Sequence, residues 1–133
     1  MDASGLKILP GLVDIHSHGA VRHDFSDADV DGLRTILQYE KSQGITSYCP
    51  TSMTLPKEEL LKIFQTAKDV EQDETCARIV GINMEGPFLD PDEKGSTCRK
   101  AISVNRILNF SEHVTKLRWN DQTGNSCTEY GRL

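Results

Sequence analysis

Two alternating histidines, His16 and His18, are the residues of this sequence with the clearest potential for chemistry. They follow a short apolar stretch, and side chains two residues apart on a β-strand project from the same face. Neutral imidazole is a good ligand for Zn, Fe, Co or Ni, so the pair could converge on one metal ion. Asp14 lies two residues before His16, and therefore on the same face, and could orient such a site. The alternative is that both rings only form hydrogen bonds with backbone or water.

Glu85 is the second residue with chemical potential, because it ends an otherwise apolar stretch that begins at Arg78. A carboxylate buried there would cost free energy unless a cation or hydrogen-bond donors compensated it, and a metal ion would do so. The alternative is a salt bridge with Lys94 or Arg99.

A small polar segment, KGST at residues 94–97, follows soon after that stretch. Its backbone amides and the hydroxyls of Ser96 and Thr97 could hold a substrate, although an ordinary turn at Gly95 explains the composition equally well. Cys49 has no neighbouring signal for activation as a nucleophile, so we expect it in the core.

Three strand–helix units would position these residues. The predicted elements are a strand at 8–18, a helix at 26–44 with Ser26 as N-cap and Gly44 as its stop, a strand at 45–49 that closes at Pro50, a helix from Pro56 to Val70, and a strand at 78–85 with Val80, Ile82 and Met84 on one face. Strand ends that recur roughly every 35 residues indicate parallel strands with helical crossovers, whose ligands gather at the carboxyl ends of the strands.

The pattern weakens beyond Thr97. Residues 104–119 could form a loose helix, whereas 120–133 have neither periodicity nor a hydrophobic anchor. We expect a mobile start at 1–7, a partial α/β barrel at 8–103 and a divergent, poorly ordered tail at 104–133.

Composition excludes several classes of partner. The chain has 15 basic and 20 acidic residues, a net charge of −5 and no basic tract, which disfavours nucleic-acid binding. Its apolar runs are far shorter than the roughly 20 residues that span a bilayer, and its start lacks a signal-peptide core, so no membrane association is expected. The four cysteines are widely spaced, with no CxxC pair, which favours reduced thiols in the cytoplasm.

Three segments carry a resemblance to a known family: PGLVDIHSHG at 10–19, GITSYCPTSMT at 44–54 and VGINMEGPFLDPDEKGS at 80–96. Together they resemble the amidohydrolase superfamily, and within it the N-acetylglucosamine-6-phosphate deacetylases. The first segment is shared with many amidohydrolases, such as dihydroorotases. The third is more specific, because many relatives use a carboxylated lysine where these deacetylases have a glutamate that ends the third strand.

This resemblance implies that His16, His18 and Glu85 are metal ligands for one or two divalent ions, Zn or Fe being favoured. It places Ser96 and Thr97 in the segment that contacts the sugar, although the family commonly has histidine at the position of Thr97. The implied substrate is a phosphorylated amino sugar, N-acetylglucosamine 6-phosphate, which the family hydrolyses to glucosamine 6-phosphate and acetate. The full-length enzyme could form a homo-oligomer.

The family fold is a (β/α)8 barrel, which typically needs about 250 residues. This sequence matches about three of its βα units, and no match to the later histidine ligands, the catalytic aspartate or the phosphate-binding residues follows Thr97. We therefore expect no catalytic residue in this chain and negligible activity from what would be a truncated fragment. The alternatives are a non-catalytic metal-binding or barrel-completing fragment, and another amidohydrolase such as a dihydroorotase.

Overall fold

The computed structural model describes residues 4–89 and residue 92. The predictions for 104–133, and the predicted substrate residues Ser96 and Thr97, lie outside the described residues. In chain order the elements are β1 (Leu12–Ser17), β2 (Gly19–Ala20), β3 (His23–Asp24), a 3-10 helix (Phe25–Asp27), α1 (Val30–Ser42), β4 (Ile45–Ser52), α2 (Lys57–Asp69), β5 (Arg78–Ile79) and β6 (Asn83–Met84).

The sheet is parallel and has β4 at its centre. β1 pairs with one edge of β4, β5 pairs with the other, and β6 pairs with the last two residues of β4. The helix α1 connects β1 to β4, and α2 connects β4 to β5, while β2 and β3 form a short antiparallel hairpin. The predicted α/β architecture, with parallel strands joined by helices, is confirmed.

The first helix begins later than the sequence predicted. Asp29, rather than Ser26, is its N-cap, and the Asp29 carboxylate accepts a hydrogen bond from the backbone N–H of Asp31. Ser26 lies inside the preceding 3-10 helix, where its hydroxyl accepts from the backbone N–H of Met53. The predicted stop at Gly44 is correct, because this residue has a φ of 86° just beyond the last helical turn.

Both of the first two predicted strands have different limits in the structure. The first begins at Leu12 rather than residue 8, because Leu12 pairs with Ile45, the first residue of β4. The second continues through Pro50 to Ser52. Proline is tolerated in this strand because the register with β1 is irregular there, so no regular ladder hydrogen bond is lost.

The predicted third strand is two short strands, separated by residues 80–82. Val80 is 50% exposed, so the prediction that it shares a face with Ile82 and Met84 is wrong. Ile79 is buried in the core, and Ile82 and Met84 pack against that same core. The residues that face the core therefore change from odd-numbered to even-numbered positions around Gly81, where the strand is interrupted.

The core lies between the two helices and one face of the sheet. It includes apolar residues of both helices and residues of the strands: Leu33, Ile36, Leu37, Leu60, Ile63, Phe64, Tyr48 and Ile79. By contrast, β1 leaves Leu12, Val13 and Ile15 more than half exposed.

Within the described ranges, neither helix has the length and apolar character needed to cross a membrane.

Candidate metal centre

The structure brings His16, His18 and Glu85 together. One ligand atom from each lies within 4.8 Å of the others, the spacing expected of groups that share a cation. The two histidine rings meet edge to face, with centroids 5.8 Å apart. All three residues lie at the carboxyl end of the parallel strands, where the topology predicted a ligand site.

The His18 ring has a defined orientation. Its Nδ1 lies 3.1 Å from the backbone carbonyl of Thr51, and since a carbonyl only accepts, Nδ1 donates this hydrogen bond. The other ring nitrogen, Nε2, lies 3.2 Å from a Glu85 carboxylate oxygen. A proton or a metal ion between Nε2 and the carboxylate would hold the two atoms at this distance. This arrangement fits a divalent cation, because an Nδ1–H···O=C bond is the usual support of a histidine ligand.

Glu85 is fixed through its backbone. The Thr54 hydroxyl donates to the Glu85 carbonyl at 2.6 Å, and Gly86 follows with a φ of 83°. A Cβ at Gly86 would lie 2.7 Å from atoms of the Thr54 side chain, so both the backbone conformation and the close approach require glycine. Thr54 and Gly86 thus set the direction in which Glu85 leaves the sheet.

The prediction that the Glu85 side chain is buried is wrong. Its side chain is 49% exposed rather than buried, so the cost of desolvation is smaller than expected. Lys94 and Arg99, the alternative ion-pair partners, lie outside the described residues. The observation that favours a cation is the proximity of His18.

Asn83 ties together the two segments that carry the candidate ligands, a role that the sequence did not predict. Its amide donates to the backbone carbonyl of Ile15 at 3.0 Å and so joins β6 to β1, two strands that both pair with β4. The sequence contained one signal for this role: Asn83 and Glu85 are two residues apart, so on a strand their side chains share a face.

Asp14 acts on the backbone next to the site. Its carboxylate accepts a hydrogen bond from the His16 N–H at 2.9 Å, consistent with the predicted orienting role. Burial raises the pKa of the Cys49 thiol, and the negative charge of Asp14 raises it further. Cys49 is therefore held as a thiol, which agrees with the absence of any signal for nucleophilic activation in the sequence. The prediction that it lies in the core is wrong, because the residue is only partly buried and is not a member of the core cluster.

The fold and this cluster define a class: an α/β protein with a candidate metal centre at the carboxyl ends of parallel strands. The chain is 31% identical over 98 residues to N-acetylglucosamine-6-phosphate deacetylase from Bos taurus, covering 71% of this chain and 24% of that protein. It is 33% identical over 92 residues to the Vibrio furnissii enzyme of the same name, covering 68% and 23%. The predicted resemblance to these deacetylases is confirmed for the N-terminal part of the chain.

A solved structure supports the same relationship. The crystal structure of N-acetylglucosamine-6-phosphate deacetylase from Thermotoga maritima matches with a TM-score of 0.65 and 26% identity, over 78% of this chain and 28% of that one. No protein-family model matches the chain. The chain spans about a quarter of the length of the curated relatives it matches.

Proposed function

We propose that this chain supplies the first part of the metal centre of an N-acetylglucosamine-6-phosphate deacetylase. The reaction is hydrolysis of the acetamide of N-acetylglucosamine 6-phosphate to glucosamine 6-phosphate and acetate. The observation that carries the proposal is the close approach of His18 Nε2 to the Glu85 carboxylate, with His16 beside them, in a chain similar to enzymes of that name. These names also favour a deacetylase over the dihydroorotase alternative.

In this proposal His16, His18 and Glu85 hold a divalent ion, Zn or Fe, and the site takes one or two ions. Such an ion polarises the amide carbonyl and lowers the pKa of water at the site. The chain's own contribution is to position the ligands. The Thr51 carbonyl holds the His18 ring, and the Thr54 hydroxyl holds the Glu85 backbone.

Ser96 and Thr97 are proposed to contact the phosphorylated sugar, as the resemblance implies. No nucleic-acid or membrane partner is proposed, because the chain is acidic and has no basic tract. A cytoplasmic location fits a phosphorylated metabolite and reduced cysteines. A homo-oligomer is proposed only for the full-length enzyme.

The sheet is proposed to represent three βα units of a (β/α)8 barrel. Within residues 4–89 the ligand cluster has no acidic group placed as a separate general base, because Asp14 is directed at the His16 N–H. We therefore expect negligible turnover from the chain alone.

A second candidate function is a non-catalytic metal-binding fragment that completes a barrel with another polypeptide. The supporting observation is β1, which has no strand partner along its outer edge among the described residues and exposes Leu12, Val13 and Ile15. An open edge with apolar side chains favours pairing with another strand.

One co-expression experiment tests both candidates. The chain is produced with the remaining three-quarters of the Vibrio furnissii deacetylase, and release of acetate from N-acetylglucosamine 6-phosphate is measured with Zn²⁺ or Fe²⁺. We expect negligible activity from the chain alone and measurable activity from the pair. The variant His18→Ala should abolish that activity, whereas His23→Ala, which changes a histidine outside the ligand cluster, should retain it.

The chain alone and the co-expressed pair give three outcomes with separate meanings. Robust turnover by the chain alone would contradict the proposed partial site. A pair that assembles without activity would favour the non-catalytic candidate. A pair whose activity survives His18→Ala would contradict the proposed metal centre.

A further inference from the structure

Thr51 has a buried hydroxyl group that the proposed metal centre does not yet account for. The residue is fully buried, and its Oγ1 has no hydrogen-bond partner among the described residues. A buried hydroxyl without a partner costs free energy, so such a group in a folded protein requires an explanation. The backbone carbonyl of this same residue accepts the Nδ1–H of His18.

The register of the sheet places the Thr51 side chain on the ligand side. Thr51 pairs with Asn83, and Asn83 has the same parity as Glu85. The next residue, Ser52, pairs with Met84, which packs against the core, so Ser52 projects from the opposite face. Ser52 also has a buried hydroxyl without a partner among the residues described, which makes it a matched control.

We propose that the Thr51 hydroxyl is a positioning group for Glu85 in the ion-bound state. This inference rests on the proposed metal centre. A carboxylate that gives one oxygen to an ion has a second oxygen free to accept a hydrogen bond, and Thr51 offers a donor without an acceptor on the same face. The hydroxyl and the carbonyl of one residue thus support two ligands, Glu85 and His18.

The test measures the Zn²⁺ affinity of the full chain by competition with a chromophoric chelator. Thr51→Val keeps the side-chain shape and removes the hydroxyl, so we expect it to weaken Zn²⁺ binding about 10-fold, the low end for loss of a group that supports a ligand. Thr51→Ser keeps the hydroxyl and should retain the wild-type affinity. Ser52→Ala, on the other face, should also retain it.

Urea unfolding without Zn²⁺ separates this role from a purely structural one. Thr51→Val should then be as stable as the wild type or more so, because it removes a hydroxyl that has no partner in the ion-free fold. Thr51→Ala removes the same hydroxyl by a second route and should show the same loss of affinity, which covers the case of a valine variant that does not fold.

The outcomes distinguish this inference from the proposed function. Wild-type affinity in Thr51→Val or Thr51→Ala, or an equal loss in Thr51→Ser or Ser52→Ala, would overturn the role of Thr51 and leave the metal centre intact. A wild-type chain that binds no Zn²⁺ would overturn the metal centre, and the role of Thr51 with it.

Discussion

His18 Nε2 and Glu85 Oε2 lie 3.2 Å apart, although the two residues directly follow different strands, β1 and β6, and are joined through two helical crossovers. The other nitrogen of the same ring is held by the backbone of β4. The central strand therefore orients the site without providing any of its three candidate ligands. This division of roles makes both the ligands and their supports accessible to separate tests.

Removal of Glu85, the proposed carboxylate ligand, should abolish tight ion binding. For Glu85→Ala we expect the Zn²⁺ affinity to fall by more than the roughly 10- to 100-fold that is typical when only a supporting residue is lost. Chelator competition measures this change. Glu74→Ala, which removes an exposed carboxylate elsewhere, should bind as the wild type does. Unchanged Zn²⁺ content in Glu85→Ala would indicate a site built without this residue.

Substitution of Gly86 should damage both the fold and the site. Alanine at a left-handed φ costs about 1–2 kcal/mol, and at Gly86 its Cβ would also press against Thr54. Gly44 has a similar φ of 86° but open space around it, so Gly44→Ala isolates the backbone cost. We expect Gly86→Ala to have the lower free energy of unfolding and to be the one that binds Zn²⁺ more weakly. Equal effects of the two substitutions would show that the contact with Thr54 is unimportant.

Asp73 should make the free energy of unfolding depend on pH in the acid range. Hydrogen bonds from the hydroxyl and backbone N–H of Thr75, with a smaller contribution from the nearby Arg34 charge, lower the pKa of Asp73 to about 2. Because the folded pKa lies below the ordinary value of 3.8, the stabilisation is present above that value and is lost as pH falls towards 2.

Urea unfolding at several pH values tests this expectation. Asp73→Asn should lose the part of the acid dependence that falls between about pH 4 and pH 2. Glu71→Gln removes the other carboxylate beside Arg34 and leaves the bonds between Asp73 and Thr75 in place, so it should keep that dependence. An unchanged profile in Asp73→Asn would contradict the assignment.

Glu40 should oppose folding near neutral pH. It is only 5% exposed, and burial raises its pKa above the ordinary value of 4.5, with a further increase from the charge of Asp14. With a raised folded pKa, its contribution is most favourable below the unfolded pKa and is lost as pH rises through the folded value. Glu40→Gln should therefore be more stable than the wild type at pH 7 and should gain less at pH 4. Glu59→Gln, an exposed control on α2, should show no such difference.

The sequence predicted which residues meet at the candidate site better than it predicted the contacts that support them. The alternation of His16 and His18, and the position of Glu85 at a strand end, follow from periodicity and from the rule for parallel sheets. The supports depend on contacts between residues distant in the chain, such as the bond from Asn83 to the carbonyl of Ile15, which no local pattern specifies.

Local signals also competed within the fold. Ser26 and Asp29 are both good N-cap residues, but in the fold Asp29 caps α1 and the Ser26 hydroxyl accepts from the distant Met53 N–H instead. Because proline lacks an N–H, Pro50 predicts the end of a strand, whereas in the structure β4 continues through it where its register with β1 is irregular. The presence of both helices could be predicted from the spacing of their apolar residues, whereas the exact residues at which elements begin and end depend on tertiary contacts.

The order of the candidate ligands along the chain has a consequence for biosynthesis. Both imidazoles leave the ribosome long before Glu85, and β4, whose backbone steadies one of them, is made between the two. A nascent polypeptide therefore cannot complete the triad until the second helical crossover has been translated. The cation would therefore bind at the end of this assembly rather than at its start.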